Sequence, residues 1–243
     1  MGSSRFPGKG LADVAGRPMI ARVVARARRI AADAQVVVAT TTDAGDDRLA
    51  SVAEAEGAGV FRGHPLDVLD RFQQAAIQAR ADIVVRVTGD CPVLDPAVGR
   101  QVLDTLRREG VAYASNVHPP TFPDGLDVEA FTARALAAAW AEATDVSDRE
   151  HVTPFLWRQP DRFAASVVRH DPDLSPHRWT VDEPADLAFV SAMLETFDAD
   201  ARDHVTMQEL LELLARRPDL HARAPQLVRN ATYRAPEARS HES

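Results

Sequence analysis

Hydrophobic and polar positions along the 243-residue chain form two alternating kinds of segment. Apolar residues recur at helical spacing from Ile20 to Ile30 and from Val68 to Ala79. Short apolar runs at 36–40 and 82–88 have the length and β-branched content of buried strands. Alternating strands and helices are typical of a mostly parallel sheet covered by helices, so the pattern predicts an α/β fold.

The same alternation continues to about residue 217. It predicts helices at about 46–56 and 96–109 and strands at 59–62, 111–115 and 127–131, the last with one polar face. Capping boxes at 147–150 and 206–209 predict two further helix starts, and the first of these helices runs to about Trp157. No internal repeat or low-complexity linker divides the chain. We therefore expect one domain at 1–218 and a partly disordered extension at 219–243.

The strand at 82–88 runs directly into the turn Gly89-Asp90-Cys91-Pro92. The turn places a carboxylate at the carboxyl end of a central strand, which is where open α/β sheets bind ligands. Asp90 is therefore a candidate site residue, with a simple turn residue as the alternative. Cys91 is expected to be a small buried neighbour rather than a nucleophile, because no residue in the sequence clearly activates it.

The first ten residues form a turn rich in glycine and serine that also carries Arg5 and Lys9. Small residues let backbone N–H groups approach an anion, and the two cations neutralise its charge, so the turn predicts phosphate binding. The glycine spacing matches neither a Walker loop nor a dinucleotide fingerprint, and a flexible end with incidental charge is the alternative. Phosphate turns normally follow a hydrophobic strand, and we expect such a strand to precede this turn in the protein, the alternative being a sheet that lacks it.

Composition narrows the possible functions. With 45% hydrophobic and 26% charged residues, the chain has the composition of a soluble globular protein, and it contains no apolar run long enough to span a bilayer. The single cysteine and the absence of an apolar leader segment favour a reducing cytoplasm. The net charge of −8 argues against broad nucleic-acid binding, so the expected nucleotide is a free triphosphate.

Six segments in order resemble the cytidylyltransferase family, which includes the CMP-KDO and acylneuraminate synthetases, and most closely its spore-coat polysaccharide SpsF branch. The segments that carry the resemblance are 1–9, 67–71, 87–92, 123–129, 149–154 and 178–187. The resemblance implies a three-layer Rossmann-like nucleotide-diphospho-sugar transferase fold whose first strand is missing from this chain. The family's opening segment reads roughly Arg-x-x-Ser-x-Arg-Leu-Pro-x-Lys, and here Phe6 stands at the leucine position and the leading Arg is absent.

The resemblance also implies a role for each motif. Arg5, Lys9 and Asp90 would be the catalytic residues: the two cations would pair with the triphosphate, and Asp90 would bind Mg²⁺ together with Asp182. Asp182 could instead cap a helix that begins near Pro184. The expected nucleotide-binding residues are Gly2, Ser3, Ser4, Arg5, Lys9, Asp67, Arg71, Thr88 and Gly89. The expected sugar-binding residues are Asp124, Asp127, Glu129, Arg149 and His151.

These last two groups have structural alternatives. Asp67 and Arg71 are four residues apart on a predicted helix, so a surface ion pair is possible. Asp124, Asp127 and Glu129 could form a polar hairpin edge, and Arg149 and His151 could serve capping and packing. His64, His118, His170 and His177 lack metal-ligand spacing and are expected to be ordinary loop or surface residues.

The function that the resemblance implies is Mg²⁺-dependent transfer of CMP from CTP to an acidic sugar, with release of pyrophosphate, for surface polysaccharide or glycoconjugate biosynthesis. A metal-dependent glycosyltransferase of the same fold and a non-catalytic nucleotide-binding protein are the alternatives, since fold alone does not decide activity. The expected partners are CTP and a sugar, without nucleic acid or membrane, and a homodimer is possible.

Overall fold

Six strands and ten α-helices organise residues 6–225, the part of the chain that the computed structural model describes. The strands are β1 (Val37–Thr41), β2 (Gly59–Gly63), β3 (Ile83–Arg86), β4 (Tyr113–Ser115), β5 (Glu129–Thr132) and β6 (Ala165–Val167). The longer helices are α1 (Met19–Ala27), α2 (Asp47–Ala55), α3 (Val68–Ala79), α4 (Pro96–Glu109), α5 (Ala133–Glu142), α8 (Pro184–Glu195) and α9 (Met207–Arg216). The shorter ones are α6 (Val146–His151), α7 (Pro154–Trp157) and α10 (Pro218–His221), and 3-10 turns lie at Lys9–Leu11 and Ala44–Asp46.

The strands form two sheets. β1 and β2 make a parallel pair, and the other four strands have the order β3-β5-β4-β6. β5 is antiparallel to both β3 and β4, whereas β6 is parallel to β4. Three strands of the larger sheet therefore run in one direction and β5 runs against them. The predicted alternation of strands and helices is confirmed, and the larger sheet is mixed.

Local sequence signals explain most helix boundaries. Asp67 caps α3 by accepting a hydrogen bond from the backbone N–H of Asp70 at 2.9 Å, and Asp95 caps α4 through Ala97 at 2.8 Å. α4 ends where Gly110 adopts a left-handed conformation with φ of 64°. The capping box predicted at 206–209 is confirmed at the start of α9.

The prediction of one helix from Ser147 to Trp157 is wrong in two respects. The residue that caps α6 is Asp145, whose carboxylate accepts a hydrogen bond from the Ser147 backbone at 2.7 Å. The helix then stops at Val152, where φ is +74°, and α7 begins separately at Pro154. Because proline lacks a backbone N–H, it can open a helix but cannot continue one from the preceding turn.

The main hydrophobic core lies between the larger sheet and helices α4, α8 and α9, and it surrounds the fully buried Trp179. Leu220 of α10 is buried in the same core, so the fold continues past the boundary expected at residue 218. The remainder of the predicted C-terminal extension, 226–243, lies outside the described residues. Within 6–225, no helix has both the length and the apolar character that a bilayer crossing requires.

A candidate active site at the carboxyl end of β3

Lys9 is the centre of a polar cluster beyond the last residue of β3. Its ammonium group donates to Asp90 Oδ2 at 2.8 Å, to Asp182 Oδ1 at 2.9 Å and to the backbone carbonyl of Val181 at 3.0 Å. The lysine expected to bind phosphate and the two carboxylates expected to bind metal therefore meet at one point. Arg5, Gly2, Ser3 and Ser4, which were predicted from the same turn, lie outside the described residues.

The loop after β3 and the segment before α8 are joined through their backbones. The Val181 N–H donates to the Asp90 carbonyl at 2.8 Å, and this bond brings Asp182 beside Asp90. Asp182 does not cap α8, so that alternative is wrong. The cap position is Glu183, and Asp186 accepts hydrogen bonds from the backbones of both Asp182 and Glu183, at 2.9 Å and 3.0 Å.

The central ion pairs are partly shielded from water. The side chains of Lys9, Asp90 and Asp182 are 18%, 24% and 21% exposed. Burial acts to lower the pKa of Lys9, but the charges and hydrogen bonds of Asp90 and Asp182 outweigh it, so the pKa is raised above its ordinary value. Lys9 is therefore a cation at neutral pH, as a phosphate-binding residue must be.

Arg178 forms an ion pair that holds Asp182 in position. Arg178 was not identified as a site residue by the sequence analysis. Its buried guanidinium donates at 3.0 Å to Asp182, Asp124 and Asp186. Burial opposes its charge, but the three carboxylates outweigh burial and raise its pKa. The available signal was the spacing of Arg178, Asp182 and Asp186 at four-residue intervals just before and inside a helix start.

Gly125 allows Asp124 to reach this arginine. Its φ is +106°, and a Cβ there would lie 2.6 Å from both the Trp179 carbonyl carbon and the Thr180 nitrogen. The Trp179 backbone N–H donates to the Asp124 carbonyl at 2.6 Å across the same contact. Asp124 is only 5% exposed. This predicted sugar-binding residue therefore lies in the buried cluster around Arg178, where its carboxylate pairs with the guanidinium that also binds Asp182.

Asp67 and Arg71 do not form the surface ion pair that their spacing allowed. Asp67 instead pairs with Arg149, 82 residues along the chain, with Arg149 Nη2 at 2.5 Å from Asp67 Oδ2. Arg71 is buried and donates to the backbone carbonyls of His64 and Pro65 at 2.6 Å and 2.9 Å. Arg149 also donates to the Trp140 carbonyl at 2.8 Å, so this predicted sugar-binding residue serves to fasten α6 to α3.

Glu129 is the centre of a buried network on β5 and not part of an exposed polar strand face. It accepts hydrogen bonds from Tyr113 at 2.6 Å, Thr153 at 2.7 Å and Arg86 at 2.5 Å. Three of the four β5 residues are buried, which corrects the prediction of one polar face. His151 is half-buried beside this network, and burial, with the charge of Arg86 adding to it, lowers its pKa.

Four further predicted positions lie in or beside the Asp90 loop. The Thr88 hydroxyl is 3.1 Å from the Cys91 sulfur, and Gly89 is exposed between them. Cys91 is buried, and burial together with the charges of Asp90 and Asp127 raises the pKa of its thiol well above the ordinary value. Asp127, which is half-buried and precedes β5, therefore lies near Cys91. The expectation that Cys91 is an inert neighbour agrees with its environment.

The donor set at Lys9 fits a magnesium ion. Among residues 6–225, no group of three or more His, Cys, Asp or Glu side chains is arranged to hold a metal. Asp90 Oδ2 and Asp182 Oδ1 nevertheless converge on a single cationic atom, the Lys9 nitrogen. Mg²⁺ prefers such a small number of carboxylate oxygens, with phosphate oxygens and water completing its octahedron.

Comparison with known proteins gives consistent results. A family model described as cytidylyltransferase matches residues 1–204. A 3-deoxy-manno-octulosonate cytidylyltransferase of Anaeromyxobacter sp. strain K is 34% identical over 88% of this chain and 79% of its own. The spore coat polysaccharide biosynthesis protein SpsF of Bacillus subtilis is 28% identical over 90% of this chain and 92% of its own. The solved structure of a cytidylyltransferase from Leptospira borgpetersenii superposes with a TM-score of 0.86 at 27% identity, covering 94% of this chain and 95% of that one.

Proposed function

Because a family model covers most of the chain, the protein belongs to the cytidylyltransferase family, and we propose that this protein transfers CMP from CTP to a sugar with release of pyrophosphate. The observation that carries the proposal is the convergence of the Lys9 ammonium with the carboxylates of Asp90 and Asp182 at the end of β3. That position is where an open α/β sheet binds its ligand. It combines a cation for the phosphates with the acidic pair that a phosphate-bound divalent ion requires.

The reaction needs no covalent bond to the protein. A sugar hydroxyl oxygen forms a bond to the α-phosphorus of CTP, the bond from that phosphorus to the oxygen bridging to the β-phosphate breaks, and the hydroxyl proton leaves to solvent or base. The electron pair departs with pyrophosphate. Lys9 would neutralise the negative charge that develops on the departing phosphates, and the surrounding carboxylates keep it protonated for that role.

We further propose that Mg²⁺ is required and that Asp90 and Asp182 hold it. The ion would supply positive charge to the phosphates and fix their orientation toward the sugar hydroxyl. Arg178 contributes by keeping Asp182 in place, since its guanidinium ties that carboxylate to Asp124 and Asp186. The buried guanidinium of Arg178 thus holds Asp182 in position before substrate binds.

An acidic sugar is the proposed acceptor. The 34% identical relative is named for its action on 3-deoxy-manno-octulosonate, an eight-carbon sugar acid. The half-buried His151 lies near the Arg86–Glu129 network, and Asp127 lies near Cys91 beside Asp90. We propose that both residues contact the sugar. The name of the B. subtilis relative supports a place in surface polysaccharide biosynthesis, and the cytoplasm, where CTP is made, is the proposed location.

Pyrophosphate release tests the proposal. The purified protein is given each of the four nucleoside triphosphates with Mg²⁺ and a panel of acidic and neutral sugars. We expect release with CTP and an acidic sugar, and a loss of 100-fold or more, roughly, in Asp90→Asn and Lys9→Met. Asp219→Asn, which removes a carboxylate from an exposed ion pair, is the matched control and should be fully active.

Two results would contradict the proposal. One is pyrophosphate release that is unchanged in Asp90→Asn, which would place the chemistry elsewhere. The other is consumption of a nucleotide diphosphate sugar without pyrophosphate release from any triphosphate. That second outcome would identify a glycosyltransferase with the same fold.

A further inference from the structure

A tight hairpin, from Ala12 to Met19, follows the turn that carries Lys9. The Met19 N–H closes it by donating to the Ala12 carbonyl at 2.9 Å. The two residues at its tip, Ala15 and Gly16, have positive φ values of 51° and 90°, as the central residues of a two-residue hairpin turn often do. The Ala12 N–H donates to the Lys9 carbonyl at 2.9 Å, so the position of the hairpin determines where the lysine backbone lies.

Arg22 of α1 holds the tip of this hairpin. Its guanidinium donates to the Val14 carbonyl at 2.6 Å and to the Ala15 carbonyl at 2.8 Å. The Arg22 side chain is only 4% exposed, and a cation that is so deeply buried needs a counter-charge. Asp203 supplies the counter-charge, because its Oδ1 accepts a hydrogen bond from Arg22 Nη1 at 2.6 Å.

Asp203 lies in the loop between α8 and α9, and this loop contacts the hairpin in two further places. Asp203 also pairs with Arg17 of the hairpin. Arg202, its neighbour in the loop, donates to the Ala15 carbonyl at 2.9 Å. Burial and the charges of Arg17 and Arg202 lower the pKa of Arg22, and the charge of Asp203 opposes them. Asp203 is therefore the anion that holds mutually repelling arginines against the hairpin.

The same loop also holds the segment that carries Asp90. Arg26 of α1 is fully buried, and it donates to the Val205 carbonyl of the loop at 2.8 Å and to the Leu94 carbonyl at 3.1 Å. Leu94 follows Asp90 in the connection from β3 to α4. The loop between α8 and α9 thus contacts both segments whose side chains meet where Lys9 binds Asp90.

We propose that Asp203 is a positioning residue for CMP transfer, which fixes the Lys9 ammonium against Asp90 by holding Arg22 and, through it, the hairpin. Loss of the Asp203 charge releases the Arg22 guanidinium, and the hairpin tip and the turn at Lys9 move with it. A misplacement of about 1 Å in a catalytic group lowers a rate by up to about 100-fold. The effect on catalysis rests on the proposed function, whereas the effect on the position of Lys9 does not.

Lys9 itself is the probe for the first test. It is the only lysine in the sequence, so protein labelled with [15Nζ]lysine gives one side-chain ammonium signal in NMR spectra. In the unaltered protein this ammonium makes three hydrogen bonds, which slow the exchange of its protons with water. We expect this exchange to be about fivefold faster, or more, in Asp203→Asn. Asp200→Asn removes an exposed carboxylate from the same loop and should leave the exchange rate unchanged.

Two further variants separate positioning from stability. Leu136→Ala creates a cavity in the core cluster around Tyr113 and should lower the unfolding midpoint without changing the Lys9 exchange rate. Arg202→Gln removes one donor from the Ala15 carbonyl together with a charge that repels Arg22, so it should fold even if Asp203→Asn does not. We expect its Lys9 exchange to be about twofold to threefold faster. An unchanged rate in Arg202→Gln, or in folded Asp203→Asn, would overturn the proposal.

Pyrophosphate release then tests whether the effect reaches catalysis. We expect Asp203→Asn to lower kcat about tenfold and to leave the KM of the sugar within about twofold of its original value. In a Lys9→Met background, Asp203→Asn should lower the residual rate by less than about twofold, because the group that it positions is gone.

Two outcomes of the kinetic test have separate meanings. A loss of about tenfold in both backgrounds would overturn the proposal, because Asp203 would then act by a route that does not involve Lys9. Absence of pyrophosphate release from the unaltered protein would instead contradict the proposed function. The exchange measurement needs no substrate, so it would still decide whether Asp203 positions Lys9.

Discussion

The Lys9 ammonium lies 2.8 Å from the carboxylate of Asp90, although 81 residues separate the two in the chain. The same nitrogen is 2.9 Å from Asp182, so one cationic atom occupies the space between both carboxylates. A divalent ion bound to the same two oxygens would stand within a few ångströms of this ammonium, and two like charges at that separation repel strongly. Lys9 would therefore have to move away from the carboxylates if an ion bound there, and the phosphates of a nucleotide would be a suitable partner for it.

Replacement of Lys9 should consequently strengthen cation binding while it abolishes turnover. We expect Lys9→Met to bind Mn²⁺, used as a spectroscopic substitute for Mg²⁺, about tenfold more tightly than the unaltered protein, because the competing positive charge is gone. Titration with electron paramagnetic resonance measures the affinity. Arg217→Met removes a cation from an exposed pair with Asp219 and is the control that should leave the affinity unchanged. Weaker Mn²⁺ binding in Lys9→Met would show that the carboxylate pair is not the cation site.

The Arg178 cluster makes a prediction about stability. Arg178→Met leaves the buried carboxylates of Asp124 and Asp186 without their cation, and an uncompensated buried charge costs about 3–5 kcal/mol. Urea unfolding measures the loss. Arg178→Lys keeps the charge but cannot bond three carboxylates in one plane, so its loss should be smaller. A change below about 1 kcal/mol in the methionine variant would mean that these ion pairs contribute little, as surface pairs do.

Alanine substitutions at three glycine positions distinguish the loss of stability caused by steric overlap from the loss caused by a left-handed backbone conformation. Gly125→Ala should destabilise the protein by about 2–4 kcal/mol, because its Cβ would overlap the backbone at Trp179 and its φ is +106°. Gly110→Ala has an open surrounding but a φ of +64°, and we expect a loss of about 1 kcal/mol. Gly45→Ala meets neither problem and should stay within about 0.5 kcal/mol. Equal values for the first two variants would refute the close contact between Gly125 and Trp179.

Elements with complete local signals were predicted well from the sequence. The helix at 96–109 matches α4 because Asp95 at its start and Gly110 at its end are both unambiguous. The start predicted at Ser147 was wrong because two capping residues compete there, and the one that caps the helix, Asp145, lies two positions earlier. The burial of β3 could not be predicted correctly from its apolar run, because its exposure depends on the cavity between β1 and β3 and not on its own residues.

The candidate site shows the same limit. Asp90 could be placed by the rule for strand ends and Lys9 by the composition of the opening turn, and the family resemblance added Asp182. All three residues converge in the structure. The pairings of Asp67 with Arg149 and of Asp124 with Arg178 could not be predicted. Each joins segments more than fifty residues apart, and the spacing of charges along one helix says nothing about such contacts.

His177 makes the stability dependent on pH. Its half-buried ring lies 5.7 Å from the rings of both Trp179 and His221, and burial, together with the charge of His221, lowers its pKa. Because the pKa of His177 is lower in the folded protein, the unfolded chain takes up a proton first as the pH falls. The stability that depends on neutral His177 is therefore present above about pH 6.5 and is lost as the pH falls below that value.

The free energy of unfolding, measured in urea between pH 7.5 and 5, should therefore fall less in His177→Gln than in the unaltered protein. His204→Gln alters an exposed histidine and should keep the original dependence. A dependence that is equally steep in His177→Gln would show that the fold does not disfavour protonation of His177.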